Sequence, residues 1–179
     1  CLVGSEMCIR DSPEGINPIV SPDTTTVFYC PMRQDSVAWE SSDTFNPAAT
    51  IYDGKVVVLY RAEDNSAVGI GSRTSRLGYA YSDDGLHFNR MTVPVFYPAD
   101  DTQKELEWPG GCEDPRVAVT DDGLYVMLYT QWNRKQARLA VATSRDLQIW
   151  EKYGPAFAKA YGGRFFDEFS KSASIVTKL

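Results

Sequence analysis

Two segments of this chain carry the same four-strand pattern about 60–70 residues apart, and that repeat limits the fold more than any single motif. Residues 48–63, AATIYDGKVVVLYRAE, are two β-rich runs around Asp53-Gly54, a dipeptide that accepts the positive φ angles of a tight hairpin turn. Residues 117–132, VAVTDDGLYVMLYTQW, repeat the pattern around Asp122-Gly123. RLGYAYSDDGLHFNR (76–90) and RLAVATSRDLQIWEK (138–152) form a second matching pair, each an alternating strand, an Asp-containing turn and an aromatic on the next strand. The alignment sets Asn46-Pro47 on Asp114-Pro115, Gly54 on Gly123, Arg76-Leu77 on Arg138-Leu139 and Phe88 on Trp150. Four strand signals per period, with no helical period between them, point to an all-β chain built from propeller blades.

The blades expected from this pattern are about 45–100 and about 112–160, with a third starting at about 170, where KSASIVTKL (171–179) sets Lys171 against Asn46 and Asp114. Closed propellers have about 4–8 blades, so two and a stub cannot close a ring. The sequence therefore reads as part of a longer frame, with 45–179 an incomplete propeller domain and the Pro-, Ser-, Thr- and Asp-rich residues 13–44 an extended lead-in. Residues 1–12 carry neither strand nor helix period. Their EMCIRDS string back-translates to codons that resemble a sequencing-library adapter, so they are expected to be foreign, and the true N-terminus of the protein to be missing. Cys30 and Cys112 then remain, far apart and without the spacing of a zinc site or a disulfide framework.

Composition narrows the function. With 43% hydrophobic and 23% charged residues the chain is that of an ordinary globular domain, and a net charge of −6 without a basic cluster argues against nucleic acid or an anionic membrane surface. No apolar run approaches the roughly 20 residues that cross a bilayer. A soluble protein with a neutral partner is expected; oligomeric state stays open.

The chemistry-bearing residues lie where the repeats begin. Residues opening the innermost strand of successive blades converge near a propeller axis, and here they are Asn46, Asp114 and Lys171. All three are polar, each in front of an otherwise small and apolar strand. Asn46 and Asp114 could equally cap turns, as Asx residues before proline do. For Asp114 a functional role is favoured, because it stands beside Glu113 and two residues from Arg116. Strand alternation points Glu113 away from the face used by Asp114. Arg61, Glu63 and Asp64 end the second strand of blade one and Arg76 opens the third, so charges of both signs gather near flat surfaces offered by Trp108, Tyr129 and Trp132, as a sugar site requires. The competing reading of Arg61 and Glu63 is a surface ion pair at a hairpin end. The Asp83-Asp84-Gly85 and Asp121-Asp122-Gly123 clusters read as turns, and the lone histidine, His87, as a solvated strand residue.

FNPAAT, YRAED, TSRLG, EWPGGCEDPR and YTQWNR, in this order and spacing, resemble glycoside hydrolase family 130, from about residue 17 to 179. The resemblance implies the N-terminal half of a five-bladed β-propeller acting on β-mannosides, without a cofactor; the compartment, bacterial cytoplasm or periplasm, stays open. It implies Asp114 as proton donor through a hydroxyl of the mannosyl ring, Asn46, Arg61, Ser75, Arg76 and Arg116 holding that ring, and Lys171 at the funnel wall. Fructosidase- and arabinanase-type propellers would place a carboxylate where Asn46 stands. CPMRQDSVAWE, EWPGGCEDPR and YTQWNR look most like enzymes hydrolysing β-1,2-mannosides, so inverting hydrolysis of mannan or mannooligosaccharides is expected. The alternatives are an inverting phosphorylase that uses inorganic phosphate as co-substrate and releases mannose 1-phosphate, and a propeller that only binds sugar. The resemblance implies that the groups separating hydrolysis from phosphorolysis lie mainly in later blades.

Overall fold

The computed structural model describes residues 15–177. The expectation for residues 1–12 lies outside the described residues. The described residues are all-β apart from a four-residue helix α1 (Lys104–Glu107) and a 3-10 turn at Ala160–Gly163.

After a short hairpin, β1 (Phe28–Cys30) and β2 (Asp35–Val37), come two antiparallel four-stranded units. The first runs β3 (Asp43–Tyr52), β4 (Lys55–Glu63), β5 (Ser75–Ser82), β6 (Asn89–Arg90); the second β7 (Gly111–Val119), β8 (Tyr125–Trp132), β9 (Ala137–Ser144), β10 (Glu151–Pro155). This is the strand count and order that the repeat predicts. The units meet at a single parallel pair, Ser75 opposite Gly111, so the spatial order is β10-β9-β8-β7-β5-β4-β3. The described residues close no ring.

Turn chemistry explains the hairpins. Asp53 and Gly54 have φ of 49° and 73°, the double left-handed pair of a two-residue turn between Tyr52 and Lys55. The second hairpin reaches the same place differently: only Gly123 is left-handed, and its N–H bonds to the Thr120 carbonyl at 2.9 Å in a longer turn. The outer loops match atom for atom. Ser82 Oγ accepts from Gly85 N–H and Asp84 Oδ1 from Leu86 and His87 N–H; Ser144 Oγ accepts from Leu147 N–H and Asp146 Oδ1 from Gln148 and Ile149 N–H, all at 2.8–2.9 Å. His87 belongs to this turn, exposed, with Nδ1 2.7 Å from Asp84.

Alternation along β4 feeds two cores. Val57 and Leu59 join Leu77, Phe96, Cys112, Met127 and Tyr129 between the two units, with Phe96 edge-on to Tyr129 at 4.7 Å. Val58, Tyr60 and Ala62 face the other way, onto Phe28, Cys30 and Trp39. Part of residues 13–44, expected to be an extended lead-in, is thus a hairpin that covers the open face of the first unit. Glu40 pins it: buried, its carboxylate accepts from Thr26 (2.7 Å) and Tyr60 (2.8 Å) and meets Arg90 at 3.2 Å. Residues 170–177, where a third unit was expected, form no strand.

The join between the units depends on Gly111. Its φ is 117°, and a Cβ there would lie 2.2 Å from the Ser75 carbonyl oxygen and 2.5 Å from its nitrogen. In the complete protein Gly111→Ala is expected to lower stability by about 3 kcal/mol or more, from backbone strain and a clash with main chain that cannot give. Gly123→Ala, left-handed but with open space around it, should cost only about 1 kcal/mol. Urea midpoints measure both; equal losses would contradict this account of the join.

Candidate active site

The site begins with two strand openings built alike. Asn46 and Asp114 are left-handed, φ 44° and 51°, each in front of a proline. At each the register slips by one extra residue: Phe45 pairs with Arg61 but Ala48 with Leu59, and Glu113 with Thr130 but Arg116 with Leu128. Asn and Asp tolerate this backbone better than other residues with a Cβ, and a bulge re-aims the side chains beside it. The two openings converge: Asn46 Nδ2 donates to Asp114 Oδ1 at 2.9 Å.

The bulge also corrects the expectation for Glu113. Alternation should send it to the opposite face, yet it shares partners with Asp114. Arg61 Nη1 donates to Asp114 Oδ1 at 3.0 Å while Nη2 meets Glu113 Oε1 at 2.9 Å. Lys171 Nζ is 2.7 Å from Glu113 Oε2 and 3.2 Å from Asp114 Oδ2. Ser172, not Lys171, has the left-handed backbone of Asn46 and Asp114, with φ 55°. Structurally Lys171 therefore corresponds to Phe45 and Glu113, one residue from the alignment read off the sequence, but its ammonium still reaches the convergence point.

Arg61 holds the site together. It is 2% exposed, so the reading as a surface ion pair is wrong for it and for Glu63, which is fully buried. Besides Glu113 and Asp114 its guanidinium donates to Glu63 Oε1 at 2.5 Å and, through Nε, to Ser75 Oγ at 3.1 Å; Ser75 Oγ is also 3.1 Å from Glu63 Oε1. Its carbon end lies over the Phe45 ring at 4.5 Å. Burial works against its charge, but Glu113, Asp114 and Glu63 outweigh that and hold its pKa above the ordinary value. Among the described residues no group of His, Cys, Asp and Glu is arranged to hold a metal ion.

Asn46, Arg61, Ser75, Asp114 and Lys171 are thus brought together. Two other expected residues are not. Arg76 pairs with Ala62, one position out of phase with Arg61 and Glu63, so it lies on the opposite face. There its fully buried guanidinium donates to Asp64 at 2.9 Å and Cys30 Sγ at 3.4 Å. Arg116, beyond the bulge, donates to the Pro115 carbonyl at 2.7 Å. Tyr129 offers no sugar platform either, being buried in the core with its hydroxyl on Glu107. Trp132 lies at the site: with Ile70 and Phe169 it lines one cleft with Arg61, Glu113 and Lys171, and its Nε1–H on the Gly71 carbonyl, 2.7 Å, fixes the ring. Glu113 is the member that sequence reasoning left out; Glu63 was read among the charges of this mouth, without a role of its own. An acid directly before an Asx-Pro bulge is the signal that could have found Glu113.

A model of glycoside hydrolase family 130, described as beta-1,4-mannooligosaccharide phosphorylase, matches residues 16–178. The chain belongs to this family. A curated relative, the 1,2-beta-oligomannan phosphorylase of Thermoanaerobacter sp. (strain X514), is 38% identical over 141 residues, covering 76% of this chain and 43% of the relative. A crystal structure from Bacteroides thetaiotaomicron VPI-5482, named as a candidate glycosidase, is 99% identical with a TM-score of 0.88 over 89% of this chain and 46% of that one. Another, reported under the statement that the GH130 family of mannoside phosphorylases contains glycoside hydrolases that target beta-1,2 mannosidic linkages in Candida mannan, is 71% identical, TM-score 0.88, over 89% of this chain and 45% of that one. The chain thus spans under half the length of these family 130 relatives. Among its described residues no helix is long and apolar enough to cross a membrane.

The two neighbouring carboxyls of this family 130 site are pushed apart. Burial resists ionisation of Asp114, but the Asn46 amide and the Arg61 guanidinium outweigh it and hold the group below the usual carboxylate range. Burial pushes Glu113 up, more than Arg61 and Lys171 pull it down. Asp114, ionising lower when folded, stabilises the fold above the ordinary carboxylate value, and that effect is lost as pH falls from the ordinary value to the lowered one. Glu113 acts in the opposite sense, its contribution fading as pH rises from the ordinary value to the raised one. Between about pH 6 and about pH 3, urea midpoints of the complete protein are expected to fall less steeply in Asp114→Asn than in wild type, and more steeply in Glu113→Gln. Parallel curves for all three would contradict the assigned directions.

Proposed function

We propose that the complete protein is a five-bladed β-propeller that cleaves β-1,2-linked mannosides with inversion, and that the described residues supply its proton donor and half of its sugar-binding wall. The observation that carries this is the convergence of Asn46, Arg61, Asp114 and Lys171 in a family 130 chain, beside a cleft that Arg61, Glu113, Trp132 and Lys171 line. In this reading the two units are blades one and two, 45–100 and 112–160, and the residues from about 170 lead into blade three.

Asp114 delivers the proton to the glycosidic oxygen through a hydroxyl of the mannosyl ring. Its Oδ1 is fixed by Asn46 and Arg61, which leaves Oδ2, with Lys171 alone against it, for the substrate. Donation needs the acid form, which the free site disfavours. A mannosyl ring that covers the cleft strips water from Oδ2 and raises the group when the donor is needed. Trp132 is the flat surface beneath a ring, and Arg61 and Ser75 order the wall. Arg76 and Arg116 would support this wall from outside the cluster. No step requires a cofactor.

The acceptor on the far face is phosphate or water. The curated relative is a phosphorylase, which supports phosphorolysis with release of mannose 1-phosphate better than the hydrolysis expected from the sequence. Hydrolysis is kept as the second reading on one observation, the 71% identical structure reported with glycoside hydrolases that target beta-1,2 linkages. An inverting hydrolase would need a second carboxylate about 6.5–9.5 Å from the acid; a phosphorylase would need cations for the phosphate dianion.

Incubation with β-1,2-mannobiose, with and without inorganic phosphate, separates them: phosphate-dependent mannose 1-phosphate marks the first, mannose in equal amount without phosphate the second. Asp114→Asn should lower kcat about 10²–10⁴-fold on mannobiose, and less on a nitrophenyl mannoside whose leaving group needs little protonation. Equal losses on the two substrates would remove Asp114 as the donor. Unchanged sugar binding with no turnover in the wild type would leave a binding protein.

A further inference from the structure

The site contains a carboxylate for which the proposed reaction gives no role. Glu113 is 2% exposed and each of its oxygens faces a different cation, Arg61 Nη2 at 2.9 Å and Lys171 Nζ at 2.7 Å. Those are the same two cations that hold Asp114, so two consecutive side chains share one pair of partners. Left-handed backbone at Asp114 and the extra residue between Glu113 and Arg116 make that geometry possible. The two cations are held very differently. Arg61 is buried and has Glu63 and Ser75 besides, so the loss of one contact leaves it in place. Lys171 belongs to a segment without strand pairing, its side chain is 44% exposed, and the segment is tethered next to it through Ser170, whose N–H bonds to the Ala137 carbonyl and whose Oγ accepts from Leu139 N–H.

We propose that Glu113 is a positioning residue that seats the Lys171 ammonium against Asp114 Oδ2 and keeps it in the cleft when substrate arrives. This inference rests on Asp114 being the proton donor. The contact with Glu113 is the shorter of the two that Lys171 makes with carboxylates, 2.7 against 3.2 Å. A sugar hydroxyl that replaces Lys171 at Oδ2 therefore leaves the ammonium anchored, one hydrogen-bond length from the same hydroxyl. Without that anchor a half-exposed lysine gains rotamer freedom in water and the open oxygen of Asp114 loses its organised neighbour. Glutamine cannot replace the carboxylate: it offers one oxygen to two cations and turns its own donors on the other. The opposed pKa directions of the two carboxyls agree with a division of labour between them.

The test is a double-mutant cycle in the complete protein, with kcat/KM on β-1,2-mannobiose and the melting temperature read together. Glu113→Gln and Lys171→Met should each lower kcat/KM about 10- to 100-fold, the range for a charged hydrogen bond. The double variant should fall no further than the worse single, with melting temperatures close to wild type. Additive losses, a melting loss that tracks the activity loss, or full activity in Glu113→Gln would overturn the inference. Should Glu113→Gln not fold, Glu113→Asp, which keeps the charge but draws it back from Lys171, enters the same cycle with the same criteria. Asp114→Asn is measured alongside. If it leaves turnover intact, the functional reading falls; if it removes turnover while Glu113 and Lys171 behave additively, only the positioning role falls.

Discussion

The guanidinium of Arg61 is the contact on which the rest of the site depends. It bridges the two units, reaching from β4 to Glu113 and Asp114 at the start of β7, and on its own side it binds Glu63 and Ser75. Removing a charge of this size from water costs several kcal/mol, and only near-complete satisfaction of its donors offsets that. Such a group is a poor source of stability and a good source of geometry. Every carboxylate around it has a fixed position, and replacing the arginine would leave three buried acids facing one another, with Lys171 against Glu113 and Asp114 and only the longer contact of Arg73, 3.5 Å, against Glu63.

That geometry is available because the strands open irregularly. In a regular strand Glu113 and Asp114 would point to opposite faces, and Asn46 would not reach across to Asp114. The paired bulges, each with an Asx residue at positive φ before proline, turn the side chains inward where the two units come together. The same Asx residues meet a backbone need and a chemical one.

Much of this was legible in the sequence, and the failures have physical causes. The four-strand repeat, the Asp53-Gly54 turn and the meeting of Asn46 with Asp114 follow from period-2 patterning and from residue types with known backbone preferences. Arg76 was placed at the site both by its position among the gathered charges and by family resemblance, while its register opposite Ala62 sends it behind the sheet to Asp64 and Cys30. Glu113 was lost because simple alternation cannot anticipate an extra residue in one strand. Tyr129 looked like a platform because a tyrosine on a strand reads the same whether its hydroxyl meets solvent or a buried Glu107. The hairpin at Phe28–Val37 was obscured by a polar, proline-rich neighbourhood, although the buried-exposed-buried pattern of Phe28, Tyr29 and Cys30 carries its signature.

The most direct test of the central claim, that the strand openings of the two units converge on a mannosyl-binding point, is a crystal structure of the complete protein soaked with β-1,2-mannobiose. The account predicts a mannosyl ring in the cleft beside Trp132, with a hydroxyl within hydrogen-bond distance of Asp114 Oδ2 and of Lys171, and Arg61 still bound to all three carboxylates. A sugar found elsewhere, such as the cleft beside Trp150 and Lys152 on the outer strand, with the Asp114 cluster untouched, would contradict it.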